Sequence, residues 1–505
     1  MSELVLAVDN GTTGTTVIVT TPVGTIVGRG YREHPQRFPA PGLVEHDPVA
    51  IWQSVLDAAK EAIAAASIKP GDIAAVGITN QRETIVPWSS VDGRPIGPTI
   101  VWQDRRTTDR CAALRAAGDD HRIRELTGLP TDPYFSATKI EWLLEHDDVV
   151  RSAANAGTLR LGTIDSWLAY QMSGGAAHIT DASNAARTML YDIHAGSWSG
   201  ELTAKFGVDQ QWLPTVTDCS GRLAQTDPDA FLGISAPIAG MAGDQQSALF
   251  GQACIELGQA KATYGTGAFV LVNSGASAPV TEALISTVAW QLGGEITYTL
   301  EGSVFTAGAS VQWLRDGLEI VATAPETEAM ALSVPDSGGV VVGPAFAGLG
   351  APIWDATARG AVLGLTRGST RAHVARATLE AVAFRVRQVV GAMQAEGTIV
   401  HELRVDGGMA KNRFLLQLQA NVLGIPVVRP ENVETTSLGA AYLAALGSGL
   451  LGSLSEVAEA WKSDLRIEPE PGADVEHDYE RFLHAVDAVR QFAASERPAA
   501  ARRDR

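Results

Sequence analysis

Short apolar runs separated by glycine turns open both halves of the chain. The runs 4–9 and 17–19 flank a turn at 10–14, a pattern that predicts strand, turn and strand. About 255 residues later, the runs 260–264 and 268–272 flank Gly265-Thr266-Gly267 in the same way. Two such hairpins predict a duplicated architecture with a domain boundary near residue 250.

Apolar residues at helical spacing predict amphipathic helices in each half. Asp47 and Pro48 are typical of an N-cap and a first helical position, and an apolar face follows at Trp52, Val55, Leu56, Ala59 and Ile63. Thr370 is expected to cap a second helix, whose apolar stripe is Leu379, Val382, Val386, Val389 and Val390. The mixture of strands and helices predicts an α/β protein with domains at 1–250 and 251–450. The more charged residues 451–505 are expected to form a C-terminal helical extension, with a frayed tail from Pro498.

Composition narrows the classes of function. The chain has 505 residues, and 39 Lys and Arg against 57 Asp and Glu give a formal net charge of −18. This balance argues against bulk nucleic-acid binding and against an anionic membrane surface, because both depend on basic side chains. No apolar stretch approaches about 20 residues and no basic region precedes the first run, so we expect neither a membrane span nor a secretory signal. The three scattered cysteines are typical of reduced thiols in a cytoplasmic protein.

Three glycine turns, at 11–14, 265–267 and 407–408, are candidate phosphate-binding loops. Glycine exposes backbone N–H groups without a Cβ, although each turn alone is more simply a tight turn. Their number favours a nucleotide cleft between domains. The sequence has no GxxxxGK[ST] loop, no HRD and DFG pair, and no complete GxGxxG after a strand. Such a site would need a divalent ion, for which Asp9 is a candidate ligand; the alternative is a turn-forming Asp-Asn-Gly.

Asp244 is a candidate general base. It follows the small-residue strand 238–243 and precedes a helix, so it either accepts a proton from a substrate hydroxyl or caps the helix. Polar and aromatic residues are concentrated at 81–83, 102–106 and 132–135. This mixture suits a small hydroxylated ligand, and the alternative is a solvated surface loop with an internal Arg–Glu pair.

Longer motifs carry a family resemblance. They are GITNQRE (77–83), IVWQDRR (100–106), DPYFS (132–136), AGDQQ (242–246), YGTG (264–267), GASVQWL (308–314) and GGMAKNRFLLQ (407–417). Through them the chain resembles the glycerol kinases of the FGGY carbohydrate kinases over about residues 4–450. The resemblance implies two ribonuclease H-like domains of the actin and hexokinase type with an ATP cleft between them. It also implies phosphorylation of glycerol to sn-glycerol 3-phosphate.

The resemblance also implies roles for single residues. Asp244 would be the catalytic base and, with Asp9, a ligand of Mg²⁺. The polyol would be bound mostly by the first domain, through Arg82, Glu83, Trp102, Tyr134, Asp244, Gln245 and Phe269. ATP would be bound mostly by the second domain, through Thr12, Thr13, Gly14, Thr266, Gly308, Gln312, Gly408 and Asn412. The implied partners are glycerol and ATP, and the implied assembly is a homo-oligomer, either dimer or tetramer.

One departure from the family pattern affects the nucleotide site. Glycerol kinases usually carry an Arg after the first Gly-Thr turn, and here that position is Thr16. A kinase for another small polyol, such as erythritol or a pentitol, therefore stays an alternative. A second alternative, from another class, is an actin-like ATPase switch, which would have no use for a polyol pocket and a base.

Overall fold

Two large mixed β-sheets, one in each half of the chain, organise the molecule. A computed structural model describes residues 3–473 and 475–495, and the predicted tail from Pro498 lies outside them. The strands are β1 (Leu4–Asn10), β2 (Gly14–Thr20), β3 (Ile26–Glu33), β4 (Gln36–Arg37), β5 (Glu45–His46), β6 (Ile73–Asn80), β7 (Ile85–Ser89), β8 (Thr99–Ile100), β9 (Leu159–Thr163), β10 (Ile179–Asp181), β11 (Tyr191–Asp192), β12 (Ser197–Trp198), β13 (Thr215–Thr217), β14 (Ser220–Gln225), β15 (Pro237–Gly243), β16 (Gln259–Tyr264), β17 (Ala268–Gly275), β18 (Ile285–Leu292), β19 (Glu295–Val304), β20 (Val341–Gly343), β21 (Ala361–Leu363), β22 (Glu402–Asp406), β23 (Val427–Pro430) and β24 (Ser463–Ile467).

Helices cover the faces of these sheets. They are α1 (Pro48–Ala66), α2 (Thr108–Ala116), α3 (Asp119–Thr127), α4 (Ser136–His146), α5 (Asp148–Asn155), α6 (Ile164–Met172), α7 (Ala182–Ala185), α8 (Gly200–Lys205), α9 (Asp244–Gly251), α10 (Gly308–Gln312), α11 (Glu326–Leu332), α12 (Arg371–Ala395), α13 (Arg413–Leu423), α14 (Thr435–Ser448), α15 (Leu454–Ala460) and α16 (Glu476–Ser495). Within the described residues, no helix is long and apolar enough to cross a membrane.

The two sheets share one topology. The first has the order β14-β15-β6-β1-β2-β3, and the second has the order β18-β19-β17-β16-β22-β23-β24. In the first, β1 is antiparallel to β2 and parallel to β6, which is parallel to β15. In the second, β16 is antiparallel to β17 and parallel to β22, which is parallel to β23. The predicted α/β class and the duplicated architecture are therefore confirmed.

Residues that were predicted to begin or end helices lie at the ends of helices in the structure. Asp47 accepts a hydrogen bond from the N–H of Val49, and Pro48 is the first residue of α1. Thr370 is the N-cap of α12, and Gly424 closes α13 in the left-handed conformation. After residue 450 the chain forms α15 and α16, but it also adds the strand β24 to the second sheet beside β23.

Helix α14 belongs to the second half of the chain but packs on the first sheet. Its residues 438–445 share one buried cluster with residues of β1, β6, β15 and α9. The crossing with α9 is very close. A Cβ built on Gly439 would lie 1.8 Å from the Ser247 carbonyl oxygen, and one on Gly251 would lie 1.9 Å from the Thr435 oxygen. Only glycine at both positions allows the two helices this separation.

Two buried carboxyl groups lie in the first half: Asp165 in α6, and Asp181 at the N-cap of α7. Asp165 accepts hydrogen bonds from Thr163 and Thr180, and Asp181 accepts them from the N–H of Ser183 and from Asn184. Burial, followed by the charge of Asp181, raises the pKa of Asp165 to about 7. The pair thus holds a proton at pH values where an unfolded aspartate is ionised.

This pair predicts a dependence of stability on pH. Between about pH 4 and about pH 7 the folded protein binds more protons at Asp165 than the unfolded chain does, so the free energy of unfolding falls as the pH rises. Asp165→Asn removes the titration, and we expect its melting temperature to fall less than that of the wild type over this window. Calorimetry of both proteins at matched pH values measures the difference. Equal slopes would contradict the assignment.

Candidate active site

All seven residues predicted to bind the polyol lie around one cavity. Its lining consists of Thr12, Arg82, Glu83, Trp102, Tyr134, Asp244, Gln245 and Phe269. Arg82 and Glu83 follow β6, and Asp244 and Gln245 follow β15. Because β6 and β15 are parallel, their carboxyl ends meet at the same edge of the sheet. Phe269 comes from β17 of the second sheet, so both halves of the chain contribute to the cavity.

An aromatic wall forms one side of the cavity. The Trp102 and Tyr134 rings meet edge to face at 5.5 Å between centroids. The indole Nε1 of Trp102 donates to Thr12 Oγ1 at 2.9 Å, which joins the wall to the first glycine turn. Such a wall can cover the carbon side of a small hydroxylated ligand while polar groups face its hydroxyls.

Arg82 is the most connected polar group of the cavity. Its guanidinium donates to both carboxylate oxygens of Glu301, at 2.6 and 3.1 Å, and to Gln246 Oε1 at 3.1 Å. Its Nε lies 3.3 Å from Asp244 Oδ1. Only 2% of the Arg82 side chain is exposed. The neighbouring carboxylates therefore stabilise a buried cation in one fixed orientation.

Glu83 is held by a second buried arginine. Its Oε1 accepts from Arg187 Nε at 2.7 Å, and the Glu83 backbone is left-handed, with φ of 63°. The Glu83 carbonyl oxygen also accepts from Ser136 Oγ. The left-handed backbone and these contacts fix the carboxylate at the cavity.

Asp244 is the first residue of α9, and the N-cap position is Gly243. Its carboxylate accepts from the N–H of Gln245 at 2.7 Å, and about 30% of the side chain is exposed toward the cavity. Burial raises the pKa of Asp244, while the charges of Arg82 and Lys261 oppose that rise. A raised pKa makes the carboxylate a better proton acceptor.

Asp9 lies on β1, close to Asp244. It accepts a hydrogen bond at 3.3 Å from the Oγ of Ser437, a residue of α14. Burial, followed by the charges of Asp244 and Glu434, raises the pKa of Asp9 to about 7. A divalent cation beside Asp9 and Asp244 would relieve this repulsion. Among the described residues no group of three or more His, Cys, Asp or Glu could hold a metal, so part of its coordination would have to come from a ligand.

The predicted phosphate turns lie at the ends of strands in both sheets. In the second half three segments are in direct contact: the N–H of Gly308 donates to the Gly265 oxygen at 2.9 Å, and Gly407 packs against the Tyr264 backbone. Thr266, Gln312 and Gly408 are exposed. Asn412 is used structurally, as the N-cap of α13. Thr12, Thr13 and Gly14 lie at the corresponding turn of the first half.

Three charged residues beside the cavity were not predicted from the sequence. Arg187 and Glu301 are fully buried: Arg187 forms an ion pair with Glu83, Glu301 forms one with Arg82, and the two also pair with each other. Lys261 Nζ donates to Gln245 Oε1 at 2.5 Å, and burial lowers the pKa of Lys261 to about 8. Lys261 is the one charged residue of β16, and Glu301 is the one charged residue in the buried part of β19, so a charge within an apolar strand was the available signal.

Comparison with known proteins gives matches over most of the chain. Residues 4–251 match the N-terminal domain of the FGGY family of carbohydrate kinases, and residues 260–448 match its C-terminal domain. The chain is similar to a glycerol kinase of Symbiobacterium thermophilum, with 50% identity over 97% of this chain and 99% of the relative. It is also similar to glycerol kinase 2 of Thermotoga maritima, with 49% identity over 96% of this chain and 98% of the relative.

Solved structures of carbohydrate kinases have the same fold as this chain. A glycerol kinase of Plasmodium falciparum with ADP superimposes with a TM-score of 0.91 at 31% identity, over 97% of this chain and 98% of that one. A ligand-bound xylulose kinase of Lactobacillus acidophilus gives a TM-score of 0.86 at 22% identity, over 98% and 99%, and shows the common fold.

Proposed function

This chain belongs to the FGGY family of carbohydrate kinases, and we propose that it transfers the γ-phosphoryl group of ATP to glycerol. The observation that carries this proposal is the convergence of Arg82, Glu83, Tyr134, Asp244 and Gln245 on one cavity beside the phosphate turns. A hydroxyl-recognition pocket next to a carboxylate with a raised pKa is what a polyol kinase needs and what an ATPase switch does not.

Asp244 would accept the proton of the terminal hydroxyl. As that oxygen forms its bond to the γ-phosphorus, the bond from the γ-phosphorus to the β–γ bridging oxygen breaks. The products are sn-glycerol 3-phosphate and ADP. Arg82 and Glu83 would bind the other hydroxyls, and Trp102 and Phe269 would cover the carbon chain, so that the reacting oxygen faces the nucleotide.

The nucleotide would lie across the glycine turns of both halves. Backbone N–H groups of the turn at Thr12–Gly14 and of the exposed residues Thr266 and Gly408 would contact phosphates, with Gly308, Gln312 and Asn412 completing the site. Asp9 and Asp244 would hold Mg²⁺ together with the phosphates, where the ion would neutralise the negative charge of the transferring group.

Release of ADP in the presence of Mg-ATP and a panel of polyols tests the proposal. We expect the highest kcat/KM for glycerol, with lower values for erythritol and the pentitols. A higher value for one of those would identify the other polyol kinase. A slow rate of ADP release that is the same with and without each polyol would identify the ATPase switch.

The proposal also covers the oligomeric state, the cellular compartment and the substrate that each half of the chain binds. We expect a cytoplasmic homo-oligomer, with most polyol contacts from residues 1–250 and most nucleotide contacts from residues 251–450. Within the described residues the three cysteines are buried and free, which agrees with a reducing compartment.

Substitution of Thr16 tests how the nucleotide is bound. It lies directly opposite Asp9 on the neighbouring antiparallel strand, so their side chains share one face. Thr16→Arg places a cation beside the phosphate turn, and we expect the KM for ATP to fall about tenfold through a charged contact. Steady-state kinetics with ATP varied measures it, and Thr25→Arg adds the same charge at an exposed position as a control. An unchanged KM would show that other groups already compensate for Thr16.

A further inference from the structure

Glu301 is a buried acid that reaches the polyol site from the opposite half of the chain. It lies on β19 of the second sheet, and its side chain is fully buried. Its two oxygens accept three hydrogen bonds from the first half: Arg82 Nη1 at 2.6 Å, Arg82 Nη2 at 3.1 Å and Arg187 Nη2 at 3.3 Å. Burial alone would raise the pKa of Glu301, but Arg187 and Arg82 outweigh burial and lower that pKa to about 2. The group is therefore ionised at any working pH.

We infer that Glu301 is a positioning residue for the polyol: it fixes the plane of the Arg82 guanidinium and so directs the Arg82 contacts with the substrate. This inference rests on the proposed function. Glu301 itself does not line the cavity, so it acts through Arg82. A bidentate carboxylate contact takes two N–H groups of the planar guanidinium and leaves its other edge oriented toward Asp244 and Tyr134.

Glu301 supplies the negative charge between two buried arginines, and this explains why its loss would affect the polyol contacts. Arg82 and Arg187 are neighbouring buried cations, and each is bonded to Glu301. Without this carboxylate, the acids left near Arg82 among the described residues are Asp244, 3.3 Å from its Nε, and Glu83, 3.8 Å from its Nε. We expect Arg82 to move onto one of these two groups, both of which are proposed to bind the polyol. Loss of Glu301 would thereby impair two or three polyol contacts at once.

The alternative is that Glu301 only ties the two halves together. That role predicts a lower melting temperature and equal effects on both substrates, because the cleft lies between the halves. A positioning role predicts an effect confined to the polyol. The ratio of the two KM values therefore separates the roles.

The experiment is steady-state kinetics of Glu301→Gln with glycerol and Mg-ATP varied in turn. We expect the KM for glycerol to rise about tenfold or more, as is common when a supporting contact of a binding residue is lost, while the KM for Mg-ATP stays within about twofold. Glu295→Gln removes the same charge from an exposed position on the same strand and serves as the matched control. If Glu301→Gln does not fold, Glu301→Asp keeps the charge but withdraws the carboxylate, and its KM values are judged in the same way.

Two results would overturn the inference: an unchanged KM for glycerol in the folded variant, or parallel rises in both KM values. In either case the wild type would still show glycerol-dependent ADP release. Loss of that release in the wild type would instead overturn the proposed function, and this inference with it.

Discussion

Asp244→Asn is expected to abolish most of the turnover while the protein stays folded and still binds glycerol. The amide has nearly the same shape as the carboxylate, but it does not accept the proton of the hydroxyl. General-base contributions are on the order of 10²–10⁴-fold, so kcat should fall by about that factor. Rates of ADP release at saturating substrates measure kcat, and a glycerol-induced rise in melting temperature reports binding.

Asp229→Asn makes the same chemical change at an exposed position outside the cavity and should behave as the wild type. Near-normal kcat in Asp244→Asn would reassign Asp244 to the start of α9, where its carboxylate accepts from the N–H of Gln245.

Gly439→Ala is expected to be among the most destabilising single changes that add only a methyl group. The new Cβ would meet the Ser247 carbonyl oxygen at 1.8 Å, and that atom belongs to the backbone of α9. Both helices must separate, which costs typically about 1–3 kcal/mol for overpacking and more where backbone has to move. Since Ser437 on α14 bonds to Asp9, and α9 begins at Asp244, activity should fall together with stability.

Gly391→Ala is the control for Gly439→Ala, because it adds the same methyl group but is expected to stabilise the protein. Gly391 lies inside α12, and nothing lies within 4 Å of an added Cβ. Alanine there should stabilise the protein by about 0.5–1 kcal/mol through helix propensity. Thermal unfolding of the two variants measures the contrast. Equal melting temperatures would refute the close crossing of α9 and α14.

Local signals explain why much of the fold was predictable. A glycine turn between two apolar runs, or Asp before Pro at the start of an apolar stripe, is decided by a few neighbouring residues, and β1, β2, α1 and α12 formed as predicted. Local position left Asp244 undecided between base and cap, and Asp9 undecided between metal ligand and turn residue. The roles of the other site residues came from family resemblance. The cavity then brought the predicted polyol residues together, because parallel strands end at one edge.

The partners of the supporting charges were not predictable, for the opposite reason. Arg82 and Glu301 are separated by more than 200 positions, and neither segment carries a sign of the other. The same holds for α14, whose small residues are those of any buried helix, yet it packs against a sheet formed more than 190 residues earlier. Contacts of this kind depend on tertiary geometry, which a single sequence does not encode in its local pattern.

The position of α14 also constrains how the protein is made. When residues 4–251 have left the ribosome, the sheet face that α14 covers has no partner, because about 180 further residues precede the helix. At about 5–20 residues per second, that apolar face stays uncovered for roughly 10–40 seconds in every round of synthesis. We expect a nascent chain of this design to be prone to aggregation during that interval, and a transcript truncated before α14 should yield an insoluble product.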